Sequence, residues 1–140
     1  MHLSRHTDYV LRVLLYLTVR PSERCTLNDV ASYYKISLEH LRKVIHELGK
    51  AGYINTYQGK GGGFDLAKDP EKINVGHIVR HFEGRTPLIN CTGLGCRLGP
   101  GCALKCALDQ AMDAFYDTLG DFTVADLAKQ RGMHRKLKGR

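Results

Sequence analysis

Four of the five cysteines in this 140-residue chain lie within a span of sixteen residues. They are Cys91, Cys96, Cys102 and Cys106, in a glycine-rich loop that runs into a helix-like stretch. Packing alone does not explain this clustering, because a buried structural cysteine behaves as a small hydrophobic residue and has no reason to gather with others on a loop. The clustered thiols therefore predict a metal or redox site.

The gaps between these cysteines limit the metal that they would hold. The gaps contain four, five and three residues, whereas structural zinc sites favour cysteine pairs separated by two residues. Zinc is a poor match and stays open as an alternative. His77 and His81 lie four residues apart, but without a third ligand nearby we expect them to be surface residues. We expect Cys25, outside the cluster, to take no part.

Composition and charge narrow the class of protein. The formal net charge is +7 and the pI is near 9.3, which favours a polyanionic partner. No run approaches the roughly 20 apolar residues of a membrane span, and the first residues lack the apolar stretch of a secretory signal. We therefore expect a cytoplasmic protein that does not associate with membranes. No catalytic constellation is found, so we expect that it is not an enzyme.

Three helices are predicted in the first fifty residues. Apolar residues recur at helical spacing between Thr7 and Val19, and Pro21 follows them. Thr26 and Asp29 have the spacing of a capping box at the start of a short second helix. Ser37 is placed to cap a third helix, whose predicted inner face is Leu41, Val44, Ile45 and Leu48.

A β-hairpin is predicted after the third helix. Two short strands, 53–57 and 64–66, are joined by a glycine-rich turn at 58–63. The turn does not have the G-x-x-x-x-G-K-[ST] pattern of a phosphate-binding loop, and no helix follows it. Three helices followed by a hairpin are the order of a winged helix-turn-helix, in which the third helix enters the major groove of DNA and the wing reaches the backbone or minor groove. The predicted DNA contacts are Leu38, Glu39, His40, Arg42 and Lys43 on the third helix, with Gln58 and Lys60 on the wing.

The rest of the chain predicts a second unit. Residues 1–83 form the expected winged helix-turn-helix domain, near the end of which residues 73–75 predict a short strand that leads into a helix through Phe82, ended by Gly84. Residues 84–102 form the expected cysteine loop. Residues 103–130 contain an amphipathic helix and a closing segment with another cap pattern at Thr123 and Asp126. The helix needs an apolar partner, either a second subunit as a dimerisation helix or its own domain. Residues 131–140 predict a basic, disordered tail. The predicted fold is mainly α with a small β-hairpin wing.

Four segments resemble a known family. They are Thr7-Asp8-Tyr9-Val10-Leu11-Arg12, Leu41-Arg42-Lys43-Val44-Ile45-His46-Glu47-Leu48, Gly59-Lys60-Gly61-Gly62-Gly63-Phe64-Asp65-Leu66, and the cysteine cluster. Together and in this order they resemble the winged-helix regulators of the Rrf2 family. The resemblance implies a homodimer that crosses its long C-terminal helices and binds a pseudo-palindromic operator in double-stranded DNA.

The resemblance also implies a cofactor. The spacing of Cys91, Cys96 and Cys102, together with Asp8 in the first helix, is similar to that of nitric-oxide-sensing members of the family. In those proteins three cysteines of one subunit and an aspartate of the other hold an iron–sulfur cluster. A 4Fe-4S cluster is implied here, with 2Fe-2S as the alternative. Cys106 departs from the family pattern and competes with Asp8 as the fourth ligand. Arg12, one turn from Asp8, either orients its carboxylate or forms an ordinary surface pair.

The resulting hypothesis is a transcriptional repressor that senses nitric oxide through its cluster and releases DNA when the cluster is lost. A related regulator that reads cluster supply or redox state is the nearest alternative. A zinc-stabilised DNA-binding protein without a sensing role is a second alternative, and an electron carrier or an enzyme is more remote.

Overall fold

The computed structural model describes residues 2–93 and 95–139. The predicted cysteine loop and basic tail are therefore each described without one residue, Leu94 and Arg140 respectively, and the first domain is described without Met1. In chain order the elements are α1 Arg5–Thr18, α2 Leu27–Tyr34, α3 Leu38–Lys50, β1 Ile54–Tyr57, β2 Gly63–Leu66, a 3-10 helix Pro70–Lys72, α4 Val75–Glu83, α5 Ala103–Gly120, α6 Val124–Lys129 and α7 Arg131–Lys138. The predicted fold class, mainly α with a β-hairpin wing, is confirmed.

Helix α1 forms the centre of the core. Ser4 caps its first turn by accepting a hydrogen bond from the Thr7 N–H, which is why the helix begins two residues before the predicted start. Its apolar residues pack against α3, α4 and α6. Four of its side chains lose essentially all contact with solvent, and burial of each such side chain stabilises the fold by about 1.5–3 kcal/mol: Val10, Val13, Leu14 and Leu17.

Helices α2 and α3 form the predicted helix-turn-helix. The capping box of Thr26 and Asp29 is present in full at the start of α2. Lys35 ends α2 in the left-handed region with a φ of 56°, which turns the chain sharply. Ser37 then caps α3 by accepting from the His40 N–H. These local signals were confirmed because each depends on residues close together in the chain.

The wing is a two-stranded antiparallel hairpin in which Ile54 pairs with Leu66 and Tyr57 with Gly63. Cys25 adds a single bridge on the outer side of β2, where its N–H and carbonyl both bond to Phe64 at 2.9 Å. The Cys25 side chain is 3% exposed, and burial raises the pKa of its thiol. Cys25 is therefore a structural core residue.

The segment before α4 differs from its prediction. A short strand was expected at 73–75, but only Asn74 pairs, through an isolated bridge to Thr123. Asn74 instead caps α4 by accepting from the His77 N–H. The bridge brings α6 back beside α1, and the Thr123–Asp126 capping box at the start of α6 is present as predicted.

Helix α5 packs its C-terminal half against α4. Gly76 permits this close approach, because an added Cβ would lie only 2.7 Å from the Gly120 nitrogen and the Tyr116 carbonyl oxygen. Within α5 only Tyr116 is buried. The first half of the helix therefore projects away from the rest of the described chain. No helix in the described ranges is long and apolar enough to cross a membrane.

The prediction of a disordered tail at 131–140 was wrong. Residues Arg131–Lys138 form helix α7, and the reason is one well-placed apolar residue. Leu137 is 3% exposed and packs with Val19 and Ala128 in a small cluster of its own. The charge-rich composition of the segment gave no indication that Leu137 would be buried.

Candidate functional site

The outer face of α3 carries the residues predicted to contact DNA. The inner face, Leu41, Val44, Ile45 and Leu48, is buried, which turns the opposite side of the helix outward. All five predicted helix residues are exposed on that side: Leu38, Glu39, His40, Arg42 and Lys43. Two of them add positive charge to the outward face. DNA contact by these residues stays a prediction.

An open groove of about 780 Å³ separates α3 from the wing. Arg42 of α3 and Gln58 of the wing both line it, so two residues predicted from distant parts of the chain meet on one surface. The groove also contains residues that were not predicted as contacts: Thr26, Asn28, His46 and Lys50. His46 and Lys50 follow Arg42 by one and two helical turns, a spacing that would have identified them.

Arg24 holds the wing in place. Its guanidinium lies 3.7 Å above the ring of Tyr57 and donates a 3.1 Å hydrogen bond to the Gly61 carbonyl. The turn itself needs glycine, because a Cβ at Gly62 would lie 2.6 Å from the Tyr57 carbonyl oxygen. Lys60 is exposed at the tip that these contacts support. Arg24 was not predicted, since its role depends on contacts 37 residues away.

The cysteines supply thiols that are free of disulfides. All are unpaired, with Cys91 and Cys102 half-buried and Cys96 and Cys106 exposed. The Cys96 N–H lies 3.4 Å from the Cys91 carbonyl, so these two residues share one turn. Cys102 is the N-cap of α5, and its side chain makes no capping hydrogen bond.

This donor set fits an iron–sulfur cluster in its chemistry, since such clusters bind to thiolates. Across residues 2–93 and 95–139, however, no three Cys, His, Asp or Glu side chains come together as a metal site. The hydrogen bonds found in the described part of the loop are local, such as those of the Asn90 side chain with Thr92 and Gly93.

Asp8 lies on the solvent side of α1 and is paired with Arg12. Its Oδ1 accepts a 2.9 Å hydrogen bond from Arg12 Nε, and both side chains are more than two-fifths exposed. This bond is the main reason that the pKa of Arg12 is raised. Tyr34 fixes the same turn by donating to the Arg12 carbonyl. The i,i+4 pair exists as predicted, whereas ligation by Asp8 stays untested.

Asp8 is next to a contact with the recognition helix. The ring of the following residue, Tyr9, lies 6.1 Å from the imidazole of His40 on α3. A shift of the first turns of α1 therefore reaches a residue predicted to contact DNA. His77 and His81 are both exposed on α4, in line with the expectation that they are surface residues.

The chain combines a helix-turn-helix, a wing that Arg24 holds in place, a basic outer face on α3 and a loop of free thiols. Together these features define a winged-helix transcriptional regulator. Comparison with known families agrees: residues 3–130 match the Rrf2 model, described as an iron-dependent transcriptional regulator. The chain belongs to the Rrf2 family. This membership confirms the predicted resemblance, and it confirms that the chain is not an enzyme, because the family consists of transcriptional regulators.

Named relatives place the chain further within the family. It is 43% identical to the HTH-type transcriptional regulator NsrR of Bacillus licheniformis, over 98% of this chain and 99% of the relative. It is 41% identical to the protein of the same name from Bacillus subtilis, over 98% and 97%. Among solved structures it resembles Staphylococcus aureus CymR with a TM-score of 0.74 and 26% identity, covering 91% of this chain and 98% of that one.

Proposed function

We propose that this protein is a DNA-binding transcriptional repressor that senses nitric oxide through an iron–sulfur cluster and releases its operator when the cluster is damaged or lost. One observation carries the proposal: uncommitted thiols occupy a loop that starts directly after α4, within a family described as iron-dependent. The similar proteins from Bacillus licheniformis and Bacillus subtilis are both named NsrR, which also supports the proposal. A cytoplasmic location stays a prediction.

Cys91, Cys96 and Cys102 would hold the cluster, with Asp8 of a second subunit as the fourth ligand. A bound cluster supplies iron that reacts with nitric oxide. The carboxylate of Asp8 is a harder and more easily exchanged ligand than a thiolate. The iron bound to Asp8 would therefore be held less firmly than the iron bound to the cysteines. Arg12 orients that carboxylate on the exposed face of α1 through the 2.9 Å contact of its Nε with Asp8 Oδ1.

The contacts of α1 explain how such a site would control DNA binding. Asp8 precedes Tyr9, which lies against His40 of α3. Bonding of Asp8 would fix the first turns of α1, and the loss of that bond would release them. A change in the position of α1 would therefore change the position of the recognition helix α3. This is allosteric coupling in the strict sense, with two sites and a shared element.

A homodimer is part of the proposal. Helix α5 leaves Leu104 57% exposed, and an apolar groove of about 640 Å³ lies between α4, α5 and the N-terminal segment. Leu11, Val79, Met112, Phe115 and Leu119 line that groove. A second copy of α5 is an occupant of matching shape and polarity.

Leu104→Asp is expected to yield monomers in analytical ultracentrifugation, whereas Gln110→Asp on the polar face keeps the dimer.

The direct test is spectroscopic. Protein purified without oxygen is analysed for iron, zinc and acid-labile sulfide, and its absorption is recorded before and after addition of nitric oxide. Binding to an operator obtained by in vitro selection is measured on the same samples. We expect a coloured, sulfide-bearing protein that bleaches and loses operator affinity. A colourless protein with one zinc, unchanged by attempted cluster reconstitution, would remove the sensing role and leave DNA binding.

One observation favours a second candidate function. Cys106 is a free, exposed thiol one helical turn beyond Cys102, and as fourth ligand it would create an all-thiolate site. Such a site binds iron more firmly and suits a regulator that reads cluster supply or redox state. A coloured protein whose operator affinity follows cluster content but is indifferent to nitric oxide would support this candidate.

A further inference from the structure

Most of the net charge of the protein comes from its last ten residues. Residues 131–140 contain five lysines and arginines and no acidic residue. The first 130 residues contain sixteen lysines and arginines against all fourteen acidic residues, a net charge of only +2. The general attraction of this protein for a polyanion therefore depends mainly on the segment that forms α7.

Helix α7 is attached firmly to its neighbours. Leu137 packs with Val19 and Ala128, and Arg20 Nη2 donates a 2.7 Å hydrogen bond to the Leu137 carbonyl. The Tyr33 hydroxyl donates to the Lys136 carbonyl. These two carbonyls lie in the last turn, where a helix leaves its C=O groups without internal partners. The side chains of Arg20 and Tyr33 thus help to satisfy the carbonyl groups at the C-terminal end of α7.

The attachment points belong to the DNA-binding unit. Arg20 lies two residues beyond the end of α1, and its guanidinium is stacked 3.7 Å from the centre of the Tyr16 ring. Tyr33 lies in α2, the first helix of the helix-turn-helix, which crosses the DNA backbone in this class of protein. Consequently α7 moves as one body with the element that approaches the phosphates.

The basic side chains of α7 point to solvent. Arg131 and Arg135 are exposed and one turn apart, on the side of the helix away from Leu137. Lys138 instead shares a groove with Asp69 and Glu71, so its ammonium group lies near acidic side chains. Arg131 and Arg135 therefore present a pair of exposed guanidinium groups to an external anion.

We propose that α7 is a second, sequence-independent DNA contact, in which Arg131 and Arg135 bind backbone phosphates beside the winged helix-turn-helix. The inference rests on the proposed DNA-binding function and extends it to a helix outside the matched family region, residues 3–130. Because the helix is already ordered on the domain, little conformational entropy is lost when it binds.

The test compares Arg131→Gln/Arg135→Gln with the wild type on a random-sequence DNA duplex. Fluorescence anisotropy gives the slope of log affinity against log salt concentration. Each phosphate contact contributes about 0.9 to that slope, so we expect it to fall by about 1.8. Affinity for a selected operator is expected to fall by the same factor, since phosphates carry no base information.

The matched control is Lys72→Gln/Arg85→Gln, which removes the same charge from exposed positions outside α7; its slope is expected to stay at the wild-type value. A wild-type slope in the α7 variant, or an equal decrease in both variants, would overturn the inference and leave the proposed function standing. The inference would also be overturned if α7 bound an acidic protein while the α7 variant kept the DNA affinity of the wild type. A wild-type protein without DNA affinity would instead remove the proposed function.

Discussion

The Thr7 hydroxyl donates a 2.6 Å hydrogen bond to the carboxylate of Glu83 and thereby joins the first turn of α1 to the last residue of α4. Ser4 strengthens this junction, because its N–H and its hydroxyl also donate to Glu83 at 3.0–3.1 Å. A carboxylate at the N-terminus of α1 also interacts favourably with the helix dipole. The cysteine loop begins at the next residue, Gly84.

We expect Thr7→Val to destabilise the protein by about 1–2 kcal/mol, because it removes a buried hydroxyl from a charged acceptor without a change of shape. Thr7 is fully buried, so water cannot replace its hydroxyl. Thermal or urea unfolding measures the difference. Thr118→Val is the control, since the Thr118 hydroxyl bonds only to the Ala114 carbonyl on an exposed face. Equal losses in the two variants would contradict a special role for the junction.

Glu83 also predicts a dependence of stability on pH. Burial raises the pKa of its carboxyl, but the hydrogen bonds from Thr7 and Ser4 outweigh burial and hold that pKa below its usual 4.5. A group with a lowered folded-state pKa stabilises the fold above its unfolded pKa and loses this contribution as pH falls through the folded value. We therefore expect wild type to exceed Glu83→Gln in melting temperature at neutral pH.

The difference between the two proteins is expected to shrink steadily as the pH falls below about 4.5. Differential scanning calorimetry from neutral pH to about pH 3 measures it. The sign is decisive: a difference that grew on acidification would show that the carboxyl is not stabilised in its ionised form.

Two basic residues of the wing predict different effects on DNA binding. Arg24 is engaged with Tyr57 and the Gly61 carbonyl, whereas Lys60 is exposed at the tip. We expect Lys60→Gln to lower the salt slope by about 0.9, as for one phosphate contact. We expect Arg24→Gln to weaken operator affinity about three- to tenfold without a change of slope, because loss of one hydrogen bond and one cation–π contact releases the wing.

Anisotropy over a range of salt concentrations distinguishes the two effects, with Lys72→Gln as the control for charge. A lower slope in Arg24→Gln would mean that Arg24 itself contacts a phosphate. An unchanged slope in Lys60→Gln would remove Lys60 from the predicted contacts.

The helices and the wing were predictable where the signals are local. The capping boxes of α2 and α6, Ser37 before α3 and the turn glycines each act within a few residues, and periodicity identified the buried faces. Helix α7 and the missing strand at 73–75 depend on tertiary contacts between residues far apart in the chain, such as those of Leu137 with Val19 and of Asn74 with Thr123. Such contacts leave no periodic pattern in the sequence.

The candidate site was predictable to a smaller extent. Exposure of the predicted face of α3 follows directly from its amphipathic pattern, and His46 could have been included by the same reasoning. Arg24 could not, because its acceptor lies in the wing. The proposed relation of Asp8 to the cysteines involves a second subunit, which no periodicity within one sequence describes.

The fourth position of the proposed cluster predicts opposite results for two substitutions. If Asp8 is the ligand, Asp8→Ala alters the absorption spectrum and slows or abolishes the response to nitric oxide, because the weakly held iron loses its carboxylate. Cys106→Ser then leaves both unchanged. If Cys106 is the ligand, the two variants exchange these results. Absorption spectra and stopped-flow kinetics on protein reconstituted without oxygen measure both properties.

Arg12→Gln separates ligation from packing. It removes the 2.9 Å partner of Asp8 but leaves the carboxylate in place, and the Arg12 carbonyl still accepts from Tyr34. With Asp8 as ligand, we expect this variant to keep the spectrum and to change only the rate of the nitric oxide response. Sedimentation measures whether each variant keeps the association state of the wild type, so that a spectral change can be distinguished from dissociation. Wild-type spectra and kinetics in both Asp8→Ala and Cys106→Ser would exclude both residues from the site.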